Sequence, residues 1–480
     1  MKDDKPPTGR WKKILLIFLV LFAGVGFVGW YKLFREENEP AFANGTERFK
    51  YGSITAENNS GLPYWVWLVL PRIFPEYLPG SGGYRSLGIV WEEGHEMPVG
   101  FTKKVVGFPR VANNCAVCHA ASYRTKPDEI PTVIAAGPNH TSNIQAMLRF
   151  LTRCAQDPRF NSKDIMAEIN QVTKLSWLDK ILYKYLIIPR TRKALLKRNQ
   201  QLAWMNRPNW PEWGPGRDDP MNLTKYFLTS LPIDDSTGQA DMPSIWNLKI
   251  REGTELNWDG ATPAVRSVLI DSGLGLGSEH NAKFLAQIDW LEAFLKDLSP
   301  PKYPLPVDEK LAAKGKPIYD ATCASCHEAG PNGQMGKVVD ISKIGTDRNR
   351  LDTWTQQAAD LANSTVEKLG IRRIGLQKTS GYVPPPMDGI WLRAPYLHNG
   401  SVPNMHDLLE PAERRTKIFY RGYDVYDPVN MGFDSKSEEA KLIGWRLDTS
   451  ERGNGNQGHI YGTNLPVGEK AALIEYLKTR

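Results

Sequence analysis

The longest unbroken apolar stretch in the chain is residues 14–30, seventeen uncharged positions between Trp11-Lys12-Lys13 and Lys32. At 1.5 Å per residue such a helix is about 26 Å long, and Tyr31, Leu33 and Phe34 bring it close to a hydrocarbon core. A small-residue cleavage site, Ala41-Phe42-Ala43, lies too far beyond the run, across Arg35-Glu36-Glu37, to mark a signal peptide. The pattern predicts an uncleaved anchor over residues 1–34. Basic residues before it favour a cytoplasmic amino end, with everything after Tyr31 on the outer, periplasmic face of the inner membrane.

Beyond the anchor, residues 35–60 are polar and read as a linker, and 61–110 are Pro-, Gly- and aromatic-rich loop with short helical pieces. Helical periodicity follows at 143–155, where Ile144, Met147, Leu148 and Leu151 share a face, and at 162–172. Residues 176–204 form one basic amphipathic helix or two broken at Pro189. Their stripe of Trp177, Ile181, Leu182 and Tyr185 suits a core face, the commoner case, or a membrane surface. After a loop-rich 205–281 comes a helix at 282–298, then Ser299-Pro300-Pro301-Lys302-Tyr303-Pro304, which marks a domain boundary. Helices are expected at 307–322, 352–369 and 468–479, with 323–350 as loop. No sheet-sized run of alternating strands occurs. The expected fold is mainly α: two tandem cytochrome c-like haem domains, 61–304 and 305–480, with long loops, behind one transmembrane helix.

Composition narrows the function. The 480 residues are 41% hydrophobic and 24% charged, which is globular, and the net charge is +7. Five basic residues against Asp3 and Asp4 in the first thirteen positions supply +3 of that charge, leaving too little elsewhere to argue for nucleic acid. With 35 Pro and 41 Gly the loops are long, and long ordered loops need something to wrap. A flat apolar disc such as haem supplies it.

Two pentapeptides point the same way: Cys115-Ala116-Val117-Cys118-His119 and Cys323-Ala324-Ser325-Cys326-His327. In CxxCH the two thiols reach the porphyrin vinyl groups and the adjacent imidazole takes the iron. Zinc or dithiol readings of CxxC need further paired ligands or a βαβ context, and neither is present. Two covalent haem c groups follow, with His119 and His327 as proximal ligands. Cys154, the fifth cysteine, reads as a packing thiol.

The segment Met387-Asp388-Gly389-Ile390-Trp391-Leu392-Arg393-Ala394-Pro395-Tyr396-Leu397-His398-Asn399-Gly400-Ser401-Val402-Pro403 resembles the signature of the di-haem cytochrome c peroxidase superfamily, closest to its rubber oxygenase-like branch. Pro98-Val99-Gly100-Phe101-Thr102, Asn257-Trp258-Asp259-Gly260, and Tyr423-Asp424-Val425-Tyr426-Asp427-Pro428 with Gly432-Phe433 fit the same branch. The similarity spans roughly residues 60–480. It implies a six-coordinate electron-transfer haem at the carboxy end and an amino-terminal haem that reacts with peroxide or dioxygen.

The resemblance also implies His398 as sixth ligand of the second haem, against Met387, with Met405 and Met431 behind. No methionine occurs between 406 and 430, which favours two histidines and a low potential. At the first haem, His140 and Met147 are the capping candidates, an exposed loop being the commoner place for such a histidine. Trp258 is the expected electron bridge, with Trp246 second. The glutamine and acid that peroxidases carry beyond this tryptophan fall on Val268 and Ser278 here, leaving Glu279 as the candidate acid. A calcium ion is also implied, with no ligands identified. The function expected is a di-haem oxidoreductase fed by a donor cytochrome, a cupredoxin or a quinol-linked complex. A pure electron carrier with both irons six-coordinate, or a tethered haem sensor, are the alternatives.

Overall fold

A computed structural model describes residues 8–331 and 333–480; residues 1–7, with Lys2 and Lys5 of the basic amino end, lie outside the described residues. The chain is 44% helical. Its first helix, Thr8–Leu33, contains the apolar span Trp11–Leu33, 23 residues of mean hydropathy 2.4 with none of its window buried against the protein. No other described helix is long and apolar enough to cross a membrane.

The segment 35–60 is built into the fold. Glu36 bridges Val106, and Glu37 donates its N–H to the Val105 carbonyl at 3.0 Å. The helix Gly45–Tyr51 follows, capped by the Asn44 side chain. The amino end of the globular part is thus laced to the edge of a strand. That strand, Phe101–Val106, pairs with Phe108–Asn113, which in turn pairs with Leu62–Pro63, giving a three-stranded antiparallel sheet. The sheet is small, and most of its strand register is short-range, so a two-residue period scarcely shows in the sequence.

Helices observed at Ile144–Gln156, Ser162–Val172, Ala282–Asp297, Glu309–Thr322, Gln356–Lys368 and Val467–Leu477 match the apolar periodicity. The 176–204 stretch is Trp177–Leu182, a π turn Tyr183–Ile187, and Ile188–Gln201. Pro189 has no N–H to give the carbonyl one turn back, and the wider π turn absorbs that defect without a break. Two longer helices stand where only loop was expected, Pro220–Leu228 and Val265–Leu276, and so do the short helical turns Ala324–His327 and Ile341–Ile344. Glycines at 273, 275 and 277 mask the second of these in the sequence.

The carboxy-terminal part closes as its two long helices cross. Gly315 sits at the crossing of Glu309–Thr322 and Val467–Leu477, where an added Cβ would lie 1.9 Å from the Ala472 carbonyl oxygen. Only glycine lets the backbones meet so closely. One large apolar cluster runs from Ala116 and Ala120 through Trp246, Leu291 and Trp391 to Leu473, so both CxxCH turns border a shared core.

Candidate functional site

The first CxxCH begins as a single 3-10 turn, Cys115–Val117. Asn114, buried, caps it by accepting from the Ala116 N–H at 2.9 Å and donates its amide to the carbonyls of Phe49, Lys50 and Gly52. Gly100, at φ +83°, backs onto the turn: a Cβ there would be 2.2 Å from the Val117 nitrogen. The Pro-Val-Gly-Phe motif is therefore a seat for the turn. Beyond it, His119 Nδ1 lies 2.8 Å from the Pro243 carbonyl oxygen. A carbonyl only accepts, so Nδ1 carries the proton and Nε2 keeps its lone pair for a metal.

The second CxxCH repeats this chemistry. The helix Glu309–Thr322 runs into Cys323, a helical turn Ala324–His327 follows, and His327 Nδ1 lies 2.8 Å from the Pro385 carbonyl oxygen. None of the four motif cysteines is taken up in a disulfide. At both sites thiol and imidazole keep some accessible surface, yet burial pushes Cys115 to about 11 and Cys323 to about 12, and lowers both imidazoles. These groups are therefore largely enclosed by the fold while keeping an accessible edge. Paired thiols, an oriented imidazole and an apolar border suit covalently held haem c.

The imidazole facing His327 is His459, not His398. Their ring centroids are 6.3 Å apart. Two metal–imidazole bonds of about 2 Å and two ring radii of about 1.1 Å also sum to roughly 6.3 Å. The His459 backbone has φ +48°, uncommon for a side chain larger than glycine, and burial lowers its pKa to about 3. Its loop is tied down heavily. Arg415, 1% exposed, donates to the carbonyls of Asn456 (2.6 Å), Gly458 (2.8 Å) and His459 (3.1 Å). Asn399 donates to the carbonyls of Gly453 and Gly455, and Ser401 to that of Gly455, each at 3.0 Å.

His398 has other neighbours. It stacks on Tyr382 with centroids 4.1 Å apart, close to Arg350, and its carbonyl accepts from the Asp241 N–H at 2.8 Å. Its ring packs against Tyr382 with Nε2 buried and unpartnered, while its Asn399-Gly400-Ser401 continuation braces the loop that carries His459. No sequence signal near 459 (Gln457-Gly458-His459-Ile460) singles that residue out; only the long-range hydrogen bonds do.

Two routes of backbone and hydrogen bonds run between His119 and His327, each through a tryptophan named above. From Pro243 the chain steps to Asp241, whose carbonyl accepts from Trp258 Nε1 at 2.8 Å. The Trp258 carbonyl accepts from the Val383 N–H at 2.8 Å, two residues from Pro385. On the other route Pro243 leads to Trp246, whose Nε1 donates to the Asp388 carbonyl at 3.3 Å, three residues from Pro385. Gly389, at φ +66°, clears the way, since a Cβ would lie 2.5 Å from the Trp246 ring.

The remaining candidates fall elsewhere. His140 is not on an exposed loop: it is 2% exposed, stacked on Phe433 at 3.8 Å, with both ring nitrogens unpartnered and its pKa lowered by burial to about 3. Glu279 is exposed beyond the turn that ends Val265–Leu276, so an acid role at a closed haem pocket does not fit it. Met147, Met387, Met405, Met431 and Cys154 are core residues. Among the described residues the one group of metal-ligating type is Glu47, Glu92 and His95. Lys50 Nζ already lies 2.6 Å from both carboxylates, and calcium prefers an all-oxygen set, so the group does not match the expected ion. Titration near neutrality belongs to Asp218, raised to about 7 by burial and by Asp219.

Residues 381–420, which hold the 387–403 motif, match the family described as RoxA-like, cytochrome c-like. An uncharacterized protein of Sinorhizobium fredii (strain NBRC 101917 / NGR234), y4iJ, is 30% identical over 249 residues, 38% of this chain and 41% of that protein. A second, y4iM of the same organism, is 29% identical over 287 residues, 50% of this chain and 64% of that protein. The chain spans about half the length of the curated relatives it matches. The matched domain supports a haem c cytochrome related to the di-haem cytochromes.

Proposed function

We propose that the protein is a membrane-anchored, periplasm-facing di-haem c-type cytochrome oxidoreductase close to the rubber oxygenase-like branch. In this reading electrons pass from the carboxy-terminal haem to an amino-terminal haem that reacts with peroxide or dioxygen. The observation that carries it is an asymmetry: His327 has His459 across from it, and among the described residues no second imidazole faces His119 in that way. Two strong axial ligands suit electron transfer, whereas an open position on an iron suits binding of a small oxygen species.

The residues divide the work accordingly. Pro243 and Pro385 fix the tautomers of His119 and His327, so each offers Nε2. Arg415, Asn399 and Ser401 hold His459 in register. Trp258 is the favoured bridge, because its route uses two bonds of 2.8 Å where the Trp246 route uses one of 3.3 Å. Val268 and Ser278 stand at the positions of the peroxidase glutamine and acid, and Glu279 is exposed, which favours dioxygen over peroxide. A donor cytochrome, cupredoxin or quinol-linked complex supplies the electrons. The test is an EPR and visible spectrum of the oxidised protein with and without cyanide. One low-spin and one cyanide-sensitive high-spin haem are expected; two low-spin haems that ignore cyanide would make the protein a carrier.

A further inference from the structure

The helix after Ser176 has two apolar faces, and only one of them is used. Tyr183, Ile187, Ile188 and Leu195 point inward and are buried in the cluster built around Trp67 and Phe150. Trp177, Ile181 and Tyr185, one turn apart on another face, are 74%, 45% and 69% exposed. Their stripe is about 12 Å long. An exposed indole, an isoleucine and a phenol in line have no part in the core, and such patches mark contact surfaces.

Four observations bear on what covers them. Lys32 Nζ, in the last turn of the anchor helix, lies 2.9 Å from Asp179 Oδ1, so the stripe begins beside the point where the anchor leaves the apolar layer. That end of the anchor carries Trp30, Tyr31 and Phe34, all exposed, and amphipathic aromatic rings of this kind settle at headgroup level. The strand pairing of Glu36 and Glu37 removes the slack that would let the globular part swing away. Charge agrees: residues 174–198 hold eight Lys and Arg against one acid, Asp179, and that acid is already paired with Lys32.

We infer that the face bearing Trp177, Ile181 and Tyr185 is a second membrane contact, seated in the headgroup layer of an anionic bilayer next to the anchor. The inference rests on the anchored reading above. Apolar side chains enter the interface while Lys174, Lys180, Lys184, Arg190 and Lys193 meet lipid phosphates. The contact fixes the tilt of the haem-bearing part over the membrane.

The experiment uses the full haem-loaded chain in nanodiscs of phosphatidylcholine and phosphatidylglycerol, with single thiols introduced by Leu19→Cys, Ile181→Cys, Tyr185→Cys or Val467→Cys. Cys154 is fully buried and stays silent. The rate of modification by a charged maleimide is read by mass. Leu19→Cys should not react, Val467→Cys should react freely, and Ile181→Cys and Tyr185→Cys should react at least tenfold more slowly than Val467→Cys. If Leu19→Cys is protected but positions 181 and 185 react as fast as 467, the stripe faces water and is left for a protein partner, which overturns the inference alone. If Leu19→Cys reacts freely, the anchor fails and the inference falls with it.

Discussion

Replacing His459 by alanine isolates the ligation argument, because a single distance carries it. The 6.3 Å separation of the His327 and His459 ring centroids matches the span of one metal held between two imidazoles. On the proposed ligation the substitution deletes one of two axial ligands at one site and leaves His119 and its surroundings untouched. Little of the effect comes from lost stability, since the loop keeps its bonds to Arg415 and Asn399. The electronic effect is large. Axial ligation spreads haem potentials over roughly 0.8 V, so losing an imidazole should raise one midpoint by on the order of 0.1 V or more and leave the other in place.

The assay is EPR with a redox titration of His459→Ala beside His398→Ala. In the first, one low-spin ferric signal should turn high-spin and bind cyanide. In the second, both signals should persist, with a stability loss of about 1 kcal/mol from the Tyr382 stack. A His459→Ala protein with unchanged low-spin signals and midpoints, or a His398→Ala protein that loses one, refutes the reasoning.

Three further outcomes are expected. Arg415→Met removes three carbonyl contacts around 456–459, so about 3–5 kcal/mol of loop anchorage goes and the same low-spin signal should broaden or become partly high-spin; Arg415→Lys should restore part of it. Gly100→Ala places a methyl 2.2 Å from the Val117 nitrogen at φ +83°, so incorporation of haem at the first CxxCH, read by mass, should fall by well over half while the second site loads normally. Asp271 is raised to about 6 by burial despite Arg373, so the folded state binds a proton between about pH 4 and 6 that the unfolded chain does not, and this contribution to stability is present at low pH and lost as pH rises through 6. Asp271→Asn should remove about 1–3 kcal/mol of that pH dependence, read by thermal melts from pH 4.5 to 7.5.

What the sequence discloses and what it hides follow from the range of the interactions involved. A CxxCH string is local chemistry: Cys115 to His119 must serve one group, so their spacing is fixed whatever surrounds them. The helix Ile144–Gln156 is equally local, its buried face repeating along one segment. The Gly100 and Gly389 requirements are half-legible, since each glycine stands in a recognisable motif but the atom it avoids, in Val117 or Trp246, is known only after folding. His398 shows the opposite failure. Its motif is conspicuous because Asn399 and Ser401 reach more than fifty residues onward to grip a loop, and the imidazole that loop presents, His459, sits in a Gly-rich stretch with no pattern of its own. The motif marks the clamp, and the proposed ligand rides on what is clamped. The same logic applies to the exposed stripe: Trp177, Ile181 and Tyr185 have a core-like period in the sequence, and only the burial of Tyr183 and Ile187 on the other face reveals that the core is already full without them. An apolar period therefore identifies a face that avoids water, while the rest of the fold decides whether protein or lipid removes it from water.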